Sequence, residues 1–410
     1  MPANNIPVWN IITNETLPRF INQSPFIITS DRGFDKYFKE TGYQVGETIN
    51  IRQRRRSFPV QGRVANPNAI QNPLIPLTIS QEWNDSIEYT GKEVALFLEK
   101  EAIEFAEREI APMATGLANN IELFCAQQAT LQINNIIGDP SQNLSSYSAI
   151  DDAKRFLLQL GVNLRKGCYI ATSLIDAHTL RSALNNQFNP VINEEIDIHG
   201  SLGNLAGFDL YESALIDIHT NGPLGGTPIV SATTNSGDGV ISISGFTPST
   251  LVLNAGDVIY FAGVFSINPL TYNSTGNLMQ FVVTSPVTSD ISGNAVIPIF
   301  PSIISDPSNT TRNVTGAIPF STPLQLYGAP NAVYNVNIAY APEALILAVP
   351  PKPPLYIVNY GQATDEETGV SLRLGMAGDI FNDVNLVRLD ALYGALWNAQ
   401  YCVKIASLAT

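Results

Sequence analysis

The stretch from Glu93 to about Asn134, EVALFLEKEAIEFAEREIAPMATGLANNIELFCAQQATLQIN, constrains this chain more than any other. In its first half Leu96, Ile103 and Ile110 recur at steps of seven with Val94, Leu98, Ala102, Phe105 and Ala106 beside them. Glu93, Glu99, Glu101, Glu104, Glu107 and Glu109 occupy other positions, so the segment reads as a helix with one apolar stripe. At ~1.5 Å per residue the part up to Ile110 spans roughly 27 Å, and the whole stretch about twice that. Pro112 has no N–H to offer the Arg108 carbonyl and crowds it, so an interruption is expected there. Beyond it the stripe resumes as Leu117, Ile121, Phe124 and Leu131. A helix of this length acts as a beam against which separate elements lean.

Charged residues make up only 14 % of the 410 residues and the net charge is −14, so the surface must consist largely of uncharged polar groups. That balance argues against tight nucleic-acid binding, which rests on Lys and Arg neutralising phosphates. The length allows two or three domains, each with its own core. Cys125, Cys168 and Cys402 lie far apart in apolar surroundings, which reads as buried thiols rather than a disulfide framework or a metal site. The opening MPANNIPVWNII lacks a basic region followed by an apolar core, and no run of about 18 apolar residues occurs, so neither secretion nor a membrane span is expected.

In chain order, residues 1–45 read as an arm punctuated by Pro2, Pro7, Pro18 and Pro25, with Trp9, Ile12, Phe20 and Phe26 scattered without a period. Such an arm cannot build a core and needs another surface to lie on. Residues 46–92 alternate at Thr48–Arg52, then at Leu77–Ser80 and Ile87–Tyr89, around a polar tip of Asn, Pro and Gln, and read as a long two-stranded loop. An isolated ribbon of this kind is marginally stable in water. Residues 93–147 hold the long helix and its exit. Residues 148–226 read as α/β: Ser148 is placed to cap a helix with Ile150, Ala153, Leu157 and Leu160 on one face and Gly161 at its end. Cys168–Ala171 follows as a strand, Ser173 caps a helix through Leu184, and Phe208–Tyr211 is another strand.

Composition shifts near Gly226. From Thr227 to Tyr340 the only charged residues are Asp238, Asp257, Asp290, Asp306 and Arg312, and short Val/Ile/Phe runs alternate with Gly, Pro, Asn and Ser turns. Residues 227–338 therefore read as an all-β barrel or sandwich inserted into the preceding domain, with its two ends close together. Residues 339–369 return to that domain with a helix over Pro342–Leu347, proline at its first position. Residues 370–410 close the chain with strands around Val370–Met376, Val387–Tyr393 and Tyr401–Ile405.

No GxSxG elbow, HExxH, Walker A loop or CxxC pair is present. His199 and His219 sit in a repeated Asp-Ile-His, at Asp197–His199 and Asp217–His219, and His178 stands apart. Convergence of two His and two Asp on a metal is one reading, and loop histidines with hydrogen-bonded partners is the preferred one. Gly200, Gly203 and Gly207 have the wrong spacing for a dinucleotide site and read as turn residues. No catalytic, cofactor-binding or metal-binding residue is assigned, and the chain is read as non-enzymatic. Arg52, Arg54, Arg55 and Arg56 form the one basic cluster. In a strand of an acidic protein they suit pairing with the acidic face of another subunit's helix or loop, with nucleic-acid contact as the alternative.

Arm, two-stranded loop, long helix, α/β domain and closing strands, in that order, resemble the major capsid protein of tailed double-stranded-DNA bacteriophages with the HK97 fold. There the parts are the N-arm, E-loop, spine helix, A-domain and P-domain strands. The inserted β-domain narrows the resemblance to the P22 coat protein family. Stretches similar to that group are Val45–Arg52, Leu77–Glu93, Gly200–Gly203 with Ala206–Ser213, Ala255–Ile259 with Ala262–Val264 and Asn268–Pro269, and Arg388–Gly394. The fold class so implied is α+β, an HK97-type capsid fold with an inserted all-β barrel-like domain.

The resemblance implies a structural protein that builds hexamers and pentamers of an icosahedral head, in the virion and, during assembly, in the host cytoplasm. Its implied partners are other copies of itself, a scaffolding protein, a portal protein and packaged double-stranded DNA held without sequence-specific binding; no membrane is involved. The residues agree: an arm and a ribbon that need a neighbour can supply the heterologous contacts of a closed shell. The ribbon from Gly46 to Tyr89 contains no lysine, which argues against a loop-borne lysine for isopeptide cross-linking. Two alternatives stand beside this reading. The shell of a cellular nanocompartment shares the fold but is disfavoured by the large insertion, and a β-rich surface-binding protein leaves the long helix and the arm unexplained.

Overall fold

The computed structural model describes residues 25–31, 46–53, 56, 61, 74–90, 109–164, 167–184, 204–352, 359–364, 371–379 and 384–409. The fold is α+β. It divides into two compact units, one of Met1–Asn50, Pro76–Cys125 and Leu345–Leu396, the other of Ile51–Ile75, Ala126–Ala344 and Trp397–Thr410. The long helix is described from Ala111 to Gln132, preceded by a π turn at Glu109 and Ile110. Pro112 thus lies just after the π turn, and the change of helix type at this point accords with the interruption expected there. The expected helix over 93–108 lies outside the described residues.

In the first unit an antiparallel sheet runs Leu345–Ala348, Val384–Trp397, Ser371–Asp379, Asn359–Thr364, and the strand Gln81–Thr90 also pairs with Val384–Trp397. The register sets Leu374 opposite Leu389 and Val387 opposite Ile87, which collects the apolar alternation of these strands. Ala114, Leu117, Ala118, Ile121 and Cys125 bury one side of the helix, and Phe124 meets Tyr393 edge-on at 5.5 Å. Gly394 is obligatory here: a Cβ on it would stand 2.3 Å from the Thr78 carbonyl oxygen.

The two-stranded loop behaves differently from its sequence pattern. Among the described residues Thr48–Arg52 pairs with Leu74–Thr78 alone, and the chain then enters the separate strand Gln81–Thr90, whose ten residues pair with Val384–Tyr393. Alternation marks a strand but does not name its partner. The expected helix at Pro342–Leu347 is also corrected: Leu345–Ala348 is a fully buried strand after a turn. Four consecutive apolar residues are too few to hold a helix in place and suit an interior strand.

In the second unit a mixed sheet orders Ile136–Gly138, Cys402–Leu408, Val333–Tyr340, Cys168–Ser173, Phe208–Ser213 and Asn204–Leu205, with Ile218–Thr220 beside Val333–Tyr340. Cys168–Ser173 and Phe208–Ser213 run parallel, joined through the helix Leu174–Leu184. Val333–Tyr340 and Cys402–Leu408 belong to this α/β sheet, although residues 333–338 were expected in the β insertion and 402–408 among the closing strands. The helix Tyr147–Gln159 starts after Ser146, two residues before the expected cap; Ser146 and Ser148 instead bond each other at 2.6 Å. It ends as expected, with Gly161 at φ +83°. Ile150, Ala153 and Leu157 join Cys168, Ile170, Phe208, Val403 and Ile405 in one core.

Between residues 229 and 326 a six-stranded sheet follows the path Leu324–Leu326, Val258–Ile267, Ser274–Val283, Ala295–Phe300, Val240–Ser244, Ile229–Val230. Ile229 bridges Pro323, next to the first strand of the path, so the sheet closes into a barrel. Its interior is packed by Ile241, Ile243, Phe261, Phe281, Val283 and Ile297, each worth roughly 1.5–3 kcal/mol of burial. The two ends meet: Val230 N–H donates to the Thr322 carbonyl and Leu324 N–H to that of Pro228, both at 3.0 Å.

Candidate functional site

Between Glu47 and Glu82 the chain carries five arginines and no carboxylate, the one basic stretch in an acidic protein. Arg52 ends the strand Thr48–Arg52 with its side chain exposed, while Ile51 beside it is buried. Arg54 and Arg55 lie outside the described residues. Arg56 turns back onto its own chain, where its guanidinium donates to the Arg312 carbonyl at 3.4 Å and to Gln400 Oε1 at 3.5 Å. Burial lowers its pKa, opposed by Tyr272 and Tyr401. The structure therefore separates the cluster: Arg52 faces solvent and Arg56 is an inward-facing group.

The charged residues of the barrel region build turns. Asp238 accepts from Asn235 N–H, Asp257 from Asn254 N–H, Asp290 from Ser292 and Asn294 N–H, and Asp306 from Ser308 N–H. Backbone donation from Asn294 and Ser308 respectively holds the Asp290 and Asp306 carboxyls below the usual range. Arg312 donates to the carbonyls of Val314 and Thr315. Asp238, Asp290, Asp306 and Arg312 are committed to local structure, while Asp257 also reaches beyond its turn.

Three nodes of buried charge stand out among the described residues, and the repeated Asp-Ile-His of the sequence marks Asp217 and His219 among their members. Asp176, fully buried at the start of the helix Leu174–Leu184, accepts from Leu144 N–H, Ser173 Oγ, Asn337 Nδ2 and Ser407 Oγ at 2.6–3.1 Å, tying four segments together. Ser173 in turn accepts from Asp176 N–H, and the Ser-x-x-Asp spacing was the available signal. Asp390 is shared by Arg373, Arg388 and Lys352, with Lys352 also 2.6 Å from Glu82. Burial opposes its ionisation, but the hydrogen bonds from Arg373, the Lys352 charge and the bond from Arg388 outweigh it and hold the carboxyl below its usual range.

The third node joins the barrel to the mixed sheet. His219 Nε2 lies 2.8 Å from Asp257 Oδ1, and Asp257 also accepts from Gly222 N–H. Thr130 donates to Asp217, and its carbonyl accepts from Lys404 Nζ at 3.1 Å. Burial pushes Lys404 down to about 7, opposed by Asp217, Cys402 and Asp257. His219 thus has the hydrogen-bonded partner expected of it, on a strand rather than a loop. His178 is exposed on its helix, and His199 with Asp197 lies outside the described residues. Among the described residues no three His, Cys, Asp or Glu side chains converge as metal ligands. Cys125, Cys168 and Cys402 are free and buried.

Among the described residues the recurring features are framework nodes of buried charge and a basic ribbon on which Arg52 is exposed. The sequence matches a family model described as "P22 coat protein - gene protein 5" over residues 68–400. The chain belongs to the P22 coat protein family. It is accordingly a structural protein of a bacteriophage capsid, working as a multimer within the virion, and its architecture is α+β. A search among curated proteins finds no significant match. Among solved structures it is similar to a chain of Mycobacterium phage Che8, with 12 % identity, TM-score 0.45, and 93 % of this chain and 91 % of that one covered. It is also similar to a chain of the acidic stable capsid structure of Helicobacter pylori bacteriophage KHP30, with 10 % identity, TM-score 0.44 and 94 % and 92 % covered. A chain from the head structure of Helicobacter pylori bacteriophage KHP40 has 11 % identity, TM-score 0.43 and the same coverage. The family assignment rests on the sequence match.

Proposed function

We propose that this chain is the major capsid protein that assembles as hexamers and pentamers into the icosahedral head enclosing the double-stranded DNA of a tailed phage. The coat-protein match over residues 68–400 carries this reading. Assembly takes place in the host cytoplasm with a scaffolding protein, and a portal protein completes the shell. DNA is enclosed without sequence-specific binding, since a net charge of −14 repels phosphate. Residues 1–45 serve as the N-arm, 46–92 as the E-loop, 93–147 as the spine, 148–226 and 339–369 as the A-domain, 227–338 as the inserted β-domain and 370–410 as closing P-domain strands.

Two features of the chain support a role among neighbours. Among the described residues the ribbon Thr48–Arg52 with Leu74–Thr78 is two strands wide, and such a ribbon gains from a surface to rest on. The strand Gln81–Thr90 exposes Glu82, Trp83, Asn84, Asp85, Ser86 and Glu88 in succession. Arg52, with Arg54 and Arg55, is proposed to contact acidic groups of an adjacent subunit. Electron microscopy and sedimentation of the protein, alone and with its scaffolding protein, test the proposal: closed shells are expected, and a strictly monomeric species under every assembly condition would sink it.

A further inference from the structure

Arg56 stands in the wall of a cavity of about 320 Å³. Leu74, Ile75, Phe156, Ile267, Met279 and Phe300 make its lining mostly apolar, and no carboxylate is among the described residues that line it. A guanidinium carries five N–H donors, yet Arg56 makes two bonds, both long and both to neutral oxygens. A half-buried cation with spare donors favours a carboxylate over water, because the low-dielectric wall strengthens a charge-assisted pair. The chain itself supplies no carboxylate between Glu47 and Glu82.

We propose that this cavity receives a segment of a second copy of the chain, placing an Asp or Glu side chain on Arg56 and an adjoining apolar side chain against Leu74, Phe156 and Phe300. The inference rests on the assembly reading above and gives it a specific socket. The volume lies at the lower end of ligand cavities, about 300–1,000 Å³, which admits one or two side chains of an extended segment and excludes a packed helix. A free inorganic anion would leave the apolar walls wet. A second copy is the occupant because the shell proposed above sets many copies of this chain side by side, and the acidic remainder of each copy complements this basic stretch.

The test incorporates the photo-crosslinking residue p-benzoylphenylalanine at Leu74, which is exposed at the cavity wall, in otherwise wild-type protein. Shells are assembled from mixed nitrogen-15-labelled and unlabelled subunits, irradiated and digested for mass spectrometry. Isotopically mixed crosslinks to an acidic peptide are expected in shells and not in unassembled subunits. Arg56→Gln should lower both that crosslink and the shell yield tenfold or more, with Arg56→Lys retaining part of each. Shells that form normally but give crosslinks only within one chain, only to scaffolding protein, or none would overturn the socket and leave the assembly reading standing. Failure of the wild-type chain to form shells under any condition would overturn both.

Discussion

Lys404 interrupts an apolar strand and is buried to 1 % exposure, and its ammonium donates to the Thr130 carbonyl. Its pKa of about 7 in the fold lies below the ordinary 10.5. Between these values the unfolded chain holds a proton that the folded chain has released, so raising the pH favours folding; below about 7 the fold bears the full cost of a buried ammonium. Lys404→Met should therefore stabilise the protein near neutrality. It should also remove on the order of 2 kcal/mol of stability gain between pH 7 and 9, read as the difference between wild-type and variant urea midpoints. A variant with an unchanged pH slope would refute the assignment. Gly256 offers a second test. Its φ is +96°, and a Cβ there would stand 2.7 Å from Thr130 Cγ2 and 3.0 Å from His219 Cε1. Gly256→Val should cost about 3 kcal/mol, combining backbone strain with overpacking. Gly316→Val, with open space and no positive φ, should cost well under 1 kcal/mol by the same denaturation measurement.

Among the elements, the barrel between residues 229 and 326 has its own closed sheet, its own core and joined ends. The excised segment Thr227–Tyr327 should fold alone with a cooperative thermal transition. On excision it loses the packing of Val258 against Ile136, Tyr334, Val336 and Ala406 and a few polar contacts. Gln280 acts as a strand partner for Ile136, its Nε2 and Oε1 bonding the Ile136 carbonyl and N–H at 2.8 Å each; Tyr327 O–H donates to the Gly138 carbonyl at 2.5 Å. Circular dichroism and amide exchange decide the matter: a disordered spectrum without slowly exchanging amides would mean that the segment orders only within the whole chain. Gln280→Ala in the full chain should leave the barrel folded and loosen its anchoring.

For the whole molecule, the charge distribution predicts how assembly responds to substitution and salt. Glu at Arg52, Arg54 and Arg55 should leave the subunit fold intact by circular dichroism and reduce shell yield. The loss should grow at low salt, because ions at about 0.15 M screen charges beyond roughly 8 Å and partly mask the new repulsion. Normal shell yield at every ionic strength would remove these three arginines from the contact surface. Arg56, already turned inward, is left unchanged in this experiment so that the other three arginines and the cavity are tested separately.

Local chemistry determined much of this protein from sequence alone. Alternation in Ser371–Asp379 and Val384–Trp397, glycine at the end of Tyr147–Gln159, Ser173 before Leu174–Leu184 and the charge-poor, turn-rich stretch after Gly226 each announce an element within a few residues. Partners were decided by tertiary structure. Periodicity does not say that Gln81–Thr90 joins Val384–Trp397, or that Val333–Tyr340 leaves the barrel for the mixed sheet, because a strand's edges carry the same N–H and C=O groups whatever its neighbour. Leu345–Ala348 became a strand because burial among other strands outweighs the helix-start signal of Pro342. The arginine cluster was legible as charge, yet only the fold separates exposed Arg52 from inward Arg56. The buried nodes at Asp176, Lys404 and Asp390 followed the same logic: their residues are distant in sequence, and an ion is tolerated in a core only where packing brings its partners to it.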